Sequence, residues 1–313
     1  MKISFYLAWF VAFALANVGC GNASSPDAAP SVSSPSTPPT PAPASTSSQI
    51  EHAYFRSDTL GREVGITVYL PPGYKEEALA RYPVVYLFYG YGGNQDAWFS
   101  GLHLDQTADR LIRDGTIRPL IIVCPDYGNS FGVNTAPGEG VDPGGVDIGP
   151  YEDYFIQEVI PYVDANYRTD AVKAGRSIGG ASMGGFAALH LGFRHPELFG
   201  KIGAHSAAIW DGTSSDLYTD QRDWLYPSET LRDARDPFRL AKKTELGDVR
   251  VYLDAGANDP LTRVDYALYE QLRDRNVDAL WVPNAGGHDP SYWSGQLSNY
   301  LMFYADATAN ESD

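Results

Sequence analysis

Apolar positions along the chain fall into two alternating patterns. Short runs such as VGITVYL (64–70), PVVYLFY (83–89) and PLIIVC (119–124) are apolar almost without interruption, and further strand-like runs lie at 175–181, 201–206, 249–254 and 279–283. A strand buried on both faces has no polar side to show, so these runs predict the inner strands of a parallel sheet. Between them, residues 151–167, 183–195, 263–276 and 290–305 carry apolar residues at helical spacing, each opening near a cap or turn residue. Strand–helix alternation of this kind predicts an α/β fold, a mostly parallel sheet with helices on both faces. In such sheets reactive groups collect at the carboxyl ends of the strands, which gives a location test for every candidate residue.

The N-terminus departs from the pattern. Lys2 is followed by the apolar run Phe5–Ala16 and then by small residues. The run is too short to span a bilayer, and it predicts an export signal over residues 1–20. Cys20 stands where a lipid-attachment cysteine would, although Asn17 replaces the usual aliphatic residue; plain cleavage after Gly21-Asn22-Ala23 is the alternative. Residues 21–48 are almost wholly Ser, Pro, Ala and Thr with one charge, Asp27. Such a segment buries no core and predicts a solvated tether. Residues 49–313 then form one large domain.

Charge and cysteine content narrow the partners. A net charge of −16 argues against nucleic acid and anionic membrane surfaces, leaving a lipid on Cys20 as the one expected membrane contact. With Cys20 cleaved or acylated, Cys124 has no disulfide partner, and its place in LIIVCPD predicts a buried thiol. No His/Cys group has metal-ligand spacing, so neither metal nor cofactor is expected.

Gly180-Ala181-Ser182-Met183-Gly184 fits G-x-S-x-G between a strand pattern and a helical one. A serine on so sharp a turn has an exposed oxygen, and small residues two positions either side avoid collision. The following helix start offers N–H groups to a developing oxyanion. Ser182 is therefore the expected nucleophile, with a glycine-rich packing turn as the bland alternative.

A serine hydroxyl needs a base, and the base needs an acid to hold its tautomer. Of the six histidines, His190 and His195 belong to the helix after the serine, His205 ends a strand, and His52 and His103 lie early in the chain. His288, in NAGGHDPSYW after the last strand pattern, meets the location test and is the expected base. In VYLDAGANDP, Asp254 falls inside the strand and Asp259 in the loop beyond it, so Asp259 is the expected acid and Asp254 the reserve. The order Ser182, Asp259, His288 is that of α/β-hydrolases. The expected oxyanion donors are the Met183 N–H and, from the glycine-rich YGYGGN loop, the Tyr91 N–H.

With these residues assembled, the chain resembles the esterase-D-like branch of the α/β-hydrolase fold. Nearest in pattern are the feruloyl and acetylxylan esterases of carbohydrate esterase family 1. The matching stretches are YPVVYLFYGYGGN, GPYEDYFIQEVIPYVDANYRT, GGASMGGFAALHLGFRHPELF, DAGANDPL and GGHDPSYW, over roughly 81 to 293. The resemblance implies the same triad and the same two oxyanion donors. Tyr89 is a departure, since many relatives have His there; it is expected to shape the oxyanion loop.

Two segments bear on specificity. Residues 128–150 form a Gly-, Pro- and acid-rich loop expected to border the cleft. Asp126, Glu139, Asp142 and Asp147 lack regular calcium-ligand spacing, so a solvated loop is expected. Residues 210–230 carry Trp210, Tyr218, Trp224 and Tyr226 without periodicity, which fits either an aromatic lid that binds substrate or a satellite core. The leading expectation is an exported serine esterase acting on acyl or feruloyl esters of carbohydrate. Siderophore ester cleavage, S-formylglutathione hydrolysis and acyl transfer use the same machinery. A non-catalytic envelope- or carbohydrate-binding protein is the reading from outside enzymology, and it has no use for a full triad.

Overall fold

The computed structural model describes residues 47–306. The expected export signal, Cys20 and nearly all of the tether lie outside the described residues. Eight strands form one sheet: β1 (Gln49–Ser57), β2 (Arg62–Leu70), β3 (Val84–Phe88), β4 (Ile121–Pro125), β5 (Arg176–Ala181), β6 (Lys201–His205), β7 (Arg250–Gly256) and β8 (Asp278–Asn284). Their order is β1-β2-β4-β3-β5-β6-β7-β8. β1 and β2 pair antiparallel, and β2 runs antiparallel to β4. From β4 to β8 every pairing is parallel. The seven strands expected from apolar runs are all present, to within a few residues at their ends.

β1 was not foreseen, and its composition explains why. Its residues alternate between exposed and half-buried, with Glu51 and His52 in mid-strand, so no apolar run marks it. It lies at the sheet edge, where one row of polar side chains costs little.

Nine α-helices lie among the described residues. α1 (Leu104–Arg113) follows β3. α2 (Tyr151–Tyr154) continues through a π-turn (Phe155–Val159) into α3 (Ile160–Asn166), filling the stretch expected at 151–167. α4 (Met183–Arg194), α8 (Thr262–Asp274) and α9 (Pro290–Ala305) match the other three expected helices, and α5 (Thr219–Leu225), α6 (Glu229–Arg235) and α7 (Pro237–Lys243) fold the long β6–β7 connection. α1 and α9 cover one face of the sheet with Leu104, Ala108, Leu111, Leu297 and Leu301. α3, α4, α7 and α8 contribute to the larger apolar layer on the other face. α4 is buried at eleven of its twelve positions, Met183 to Phe193, because it lies between the sheet and the α5–α7 insertion. Cys124 is a free, fully buried thiol in β4.

Candidate active site

β5 ends at Ala181 and α4 begins at Met183, so Ser182 alone makes the turn. It does so at φ 56°, ψ −116°, a conformation that L-residues avoid and that costs about 1–3 kcal/mol. Neighbouring backbone holds it there. Ser182 N–H donates to the His205 carbonyl at 2.9 Å, and the Ser182 carbonyl accepts from Phe186 and Ala208 N–H at 3.1 and 3.0 Å. The glycines on either side are obligatory: a Cβ on Gly180 would collide with the Gly184 carbonyl, and one on Gly184 with that of Phe88.

The serine side chain meets its expected partners. His288 Nε2 lies 2.9 Å from Ser182 Oγ, and His288 Nδ1 lies 2.9 Å from Asp259 Oδ2. Asp259 sits in the loop between β7 and α8, and His288 in the Gly-Gly loop between β8 and α9. All three are therefore at carboxyl ends of strands. The other Asp259 oxygen accepts from Leu261 N–H at 2.8 Å. Burial acts to raise the Asp259 pKa, but hydrogen bonds from His288 and Leu261 outweigh it and hold the carboxyl below its usual range. An ionised Asp259 on Nδ1 fixes the imidazole proton there and leaves the Nε2 lone pair facing the serine. Asp265, fully buried in α8, is pushed the other way by burial and then by the Asp259 and Asp254 carboxylates.

Ser182 opens on a cleft of about 620 Å³ lined by the 89–93 loop, Met183, Phe131, Leu102, Tyr218 and Trp293. Met183 is the first residue of α4, where a helix leaves its N–H without an internal partner. Tyr91 lies on the facing loop, where a Cβ added to Gly90 would come within 3.5 Å of Ser182 Cβ. The arrangement can deliver a serine oxygen to a carbonyl carbon with a base behind it and backbone donors on both sides.

Trp210, Trp224 and Tyr226 require a correction. None lines the cleft. Trp210 and Trp224 are only 1% and 3% exposed and pack with Phe131 and Phe186 in the main core, while Tyr226 meets the edge of the Trp210 ring. The aromatics of the 210–230 segment anchor the α5–α7 insertion, and the satellite-core alternative describes them. Tyr218, 49% exposed at the start of α5, and Gln221 one turn on are the segment's contribution to the cleft. Trp224→Ala should accordingly cost about 3–5 kcal/mol of stability, seen as a lowered Tm, with KM unchanged for any ester. A raised KM at unchanged Tm would return Trp224 to the substrate.

The other histidines have separate tasks. His190 and His195 both bond the Glu152 carboxylate, with Arg194 beside them. His52 contacts Thr67 at the far sheet edge, and His103 precedes α1. His205 is fully buried beneath the serine turn, with Nδ1 on Asp254 at 2.7 Å and Nε2 accepting from the Tyr304 hydroxyl at 2.9 Å. Asp254 also accepts from Tyr292 and Tyr300 hydroxyls of α9 at 2.6 and 2.9 Å, away from Ser182 and His288. Tyr89 packs on Tyr127, and its hydroxyl bridges Asp126 and Tyr127 N–H under the cleft loop. The acids weighed as calcium ligands each have another occupation: Asp126 pairs with Arg62, Glu139 with Arg235, Asp142 caps Gly144 N–H, and Asp147 accepts from Asn129 N–H.

Comparison with known proteins gives this geometry a family. Over 169 residues, 51% of this chain and 22% of the relative, the sequence is 35% identical to an endo-1,4-beta-xylanase/feruloyl esterase of Xylanibacter ruminicola. An esterase of Mycobacterium tuberculosis is 36% identical over 49% of this chain and 31% of its own length. The chain thus spans between a fifth and a third of these curated relatives. A solved ferulic acid esterase superposes with a TM-score of 0.69 at 26% identity, covering 83% of this chain and 98% of that one. The sheet order, the serine turn and the strand-end loops are those of an α/β-hydrolase. Residues 57–304 match the family described as "Putative esterase", and the chain belongs to that esterase family.

Proposed function

We propose that the protein is a serine esterase that works through an acyl-enzyme. The Asp259–His288–Ser182 hydrogen-bonded chain, opening on an apolar cleft, carries the reading. Ser182 Oγ attacks the ester carbonyl carbon while its proton passes to His288 Nε2, and the carbonyl electron pair moves onto oxygen between the Tyr91 and Met183 N–H groups. The tetrahedral species collapses by breaking the bond to the alcohol, which leaves with the His288 proton. Water, deprotonated by the same nitrogen, then attacks the acyl–Ser182 ester and releases the acid and the free serine. Asp259 stays ionised throughout and balances the imidazolium formed in each half-reaction.

For substrate we propose an aromatic acyl ester of carbohydrate. A cavity of about 620 Å³ with Phe131, Tyr218, Trp98 and Trp293 in its wall accommodates a phenolic ring, and relatives named feruloyl esterase support that choice. The signal-like N-terminus, Cys20 and the 21–48 tether support export to a polymeric substrate; a mature chain retaining Met1 by mass would overturn export.

Comparing methyl ferulate with p-nitrophenyl acetate tests the substrate. Tyr218→Ala should raise KM for methyl ferulate by roughly 3–10-fold and leave p-nitrophenyl acetate turnover unchanged, because stacking on a ring contributes equally before and during reaction. Rapid hydrolysis of S-formylglutathione with none of methyl ferulate would replace the substrate class and keep the mechanism.

A further inference from the structure

The loop bearing the Tyr91 N–H contains Gly90, Gly92 and Gly93, a composition that leaves a backbone free to move. An oxyanion donor contributes fully only when it is aimed before the charge develops. In this protein the aiming comes from residues 128–147. Asn129 Oδ1 accepts from Gly92 N–H at 2.8 Å, and Asn129 Nδ2 donates to the Gly145 carbonyl at 2.8 Å. The Asn129 backbone N–H donates to the Asp147 carboxylate at 2.7 Å. The Tyr91 hydroxyl reaches over to donate to the Gly144 carbonyl at 3.1 Å. Gly145 has no room for a side chain, since a Cβ there would lie 2.6 Å from the Tyr91 hydroxyl.

We infer that Asn129 is a positioning residue for ester hydrolysis, holding the Gly90–Gly93 loop so that the Tyr91 N–H faces the reacting carbonyl oxygen. The inference rests on Ser182 as nucleophile and Tyr91 as donor. Asn129 acts through the Gly92 peptide, directly after Tyr91. Its side-chain amide accepts on one edge and donates on the other, which neither carboxylate nor hydroxyl does with the same reach. Aspartate keeps the acceptor for Gly92 but turns a second oxygen toward the Gly145 carbonyl, beside the Asp147 carboxylate. Tyr91 is gripped twice, by its side chain and through the following peptide, so the 128–147 segment is a brace for the donor.

Asn129→Ala should lower kcat by roughly 10–100-fold with KM within about twofold, the signature of an interaction that matters only when the oxyanion forms. Tyr91→Phe, which deletes one hydroxyl and threatens the fold little, should lower kcat in the same sense by a smaller factor. Affinity for an aryl trifluoromethyl ketone, whose serine adduct carries the oxyanion, should fall in parallel with kcat/KM, while affinity for the product acid stays constant. A purely structural role predicts lowered Tm with native kcat in the folded fraction. That result, or unchanged ketone affinity in both variants, overturns the inference. A wild-type protein that forms no fluorophosphonate adduct on Ser182 overturns the reading beneath it instead.

Discussion

Ser182→Ala yields a folded protein whose ester kcat is lower by at least about 10³-fold and which takes up no fluorophosphonate. The size follows from what is deleted. Without Oγ no acyl-enzyme forms, and the remaining rate is what the backbone donors and the cleft give to a direct attack by water. Folding should survive and stability could rise slightly, because alanine removes a polar atom and leaves the turn as it was. The strained angles at residue 182 are imposed by Gly180, Gly184 and the bonds to β6 and its following loop, none of which involves the hydroxyl. Ester turnover within tenfold of wild type would remove Ser182 from the mechanism.

Asp259→Asn should lower kcat by on the order of 10²–10⁴ with KM little changed. An amide facing His288 Nδ1 can present its NH₂, and the ring then places its own proton on Nε2, where it blocks proton transfer from the serine. Asp254→Asn should behave differently. Asp254 meets three groups, His205 of β6 and Tyr292 and Tyr300 of α9, and an amide brings an NH₂ against at least one of them. The cost is stability, about 1–3 kcal/mol for each buried group left unpaired, with kcat of the folded fraction within severalfold of native. Measuring kcat and Tm for both variants separates the two roles. If Asp254→Asn were the more damaging to kcat in a folded protein, the acid would have to be reassigned.

That distinction was open to sequence reasoning because it depended on strand phase. Asp254 lies within an apolar strand and Asp259 five residues later in the loop, so position in strand or loop separated two otherwise equal carboxylates. Ser182 and His288 were legible for a similar reason, each flanked by glycines at the end of a strand pattern. The 210–230 segment was not, because tryptophan and tyrosine suit a lid and a core equally well. Which one they form depends on Phe131 and Phe186, far away in sequence. Tyr218 and Gln221 reach the cleft while being ordinary exposed residues of a short helix. Asn129 left no signal at all, since a side chain that bonds a distant loop has no period and no motif. α1 did carry a signal, since its buried residues Leu104, Ala108 and Leu111 recur at helical spacing.

The hydroxyl of Tyr304, near the end of α9, lodges against the bare backbone of Gly179 in β5 and Gly203 in β6, where a methyl group on either would overlap it. α9 also follows directly on the loop that carries His288. A single insertion thus registers the base against the strand that delivers the nucleophile, more than a hundred residues earlier in the chain. With α9 undocked, His288 loses the element that follows its loop and sets its distance from Ser182. Fraying of that helix should therefore abolish ester turnover while most of the sheet stays intact.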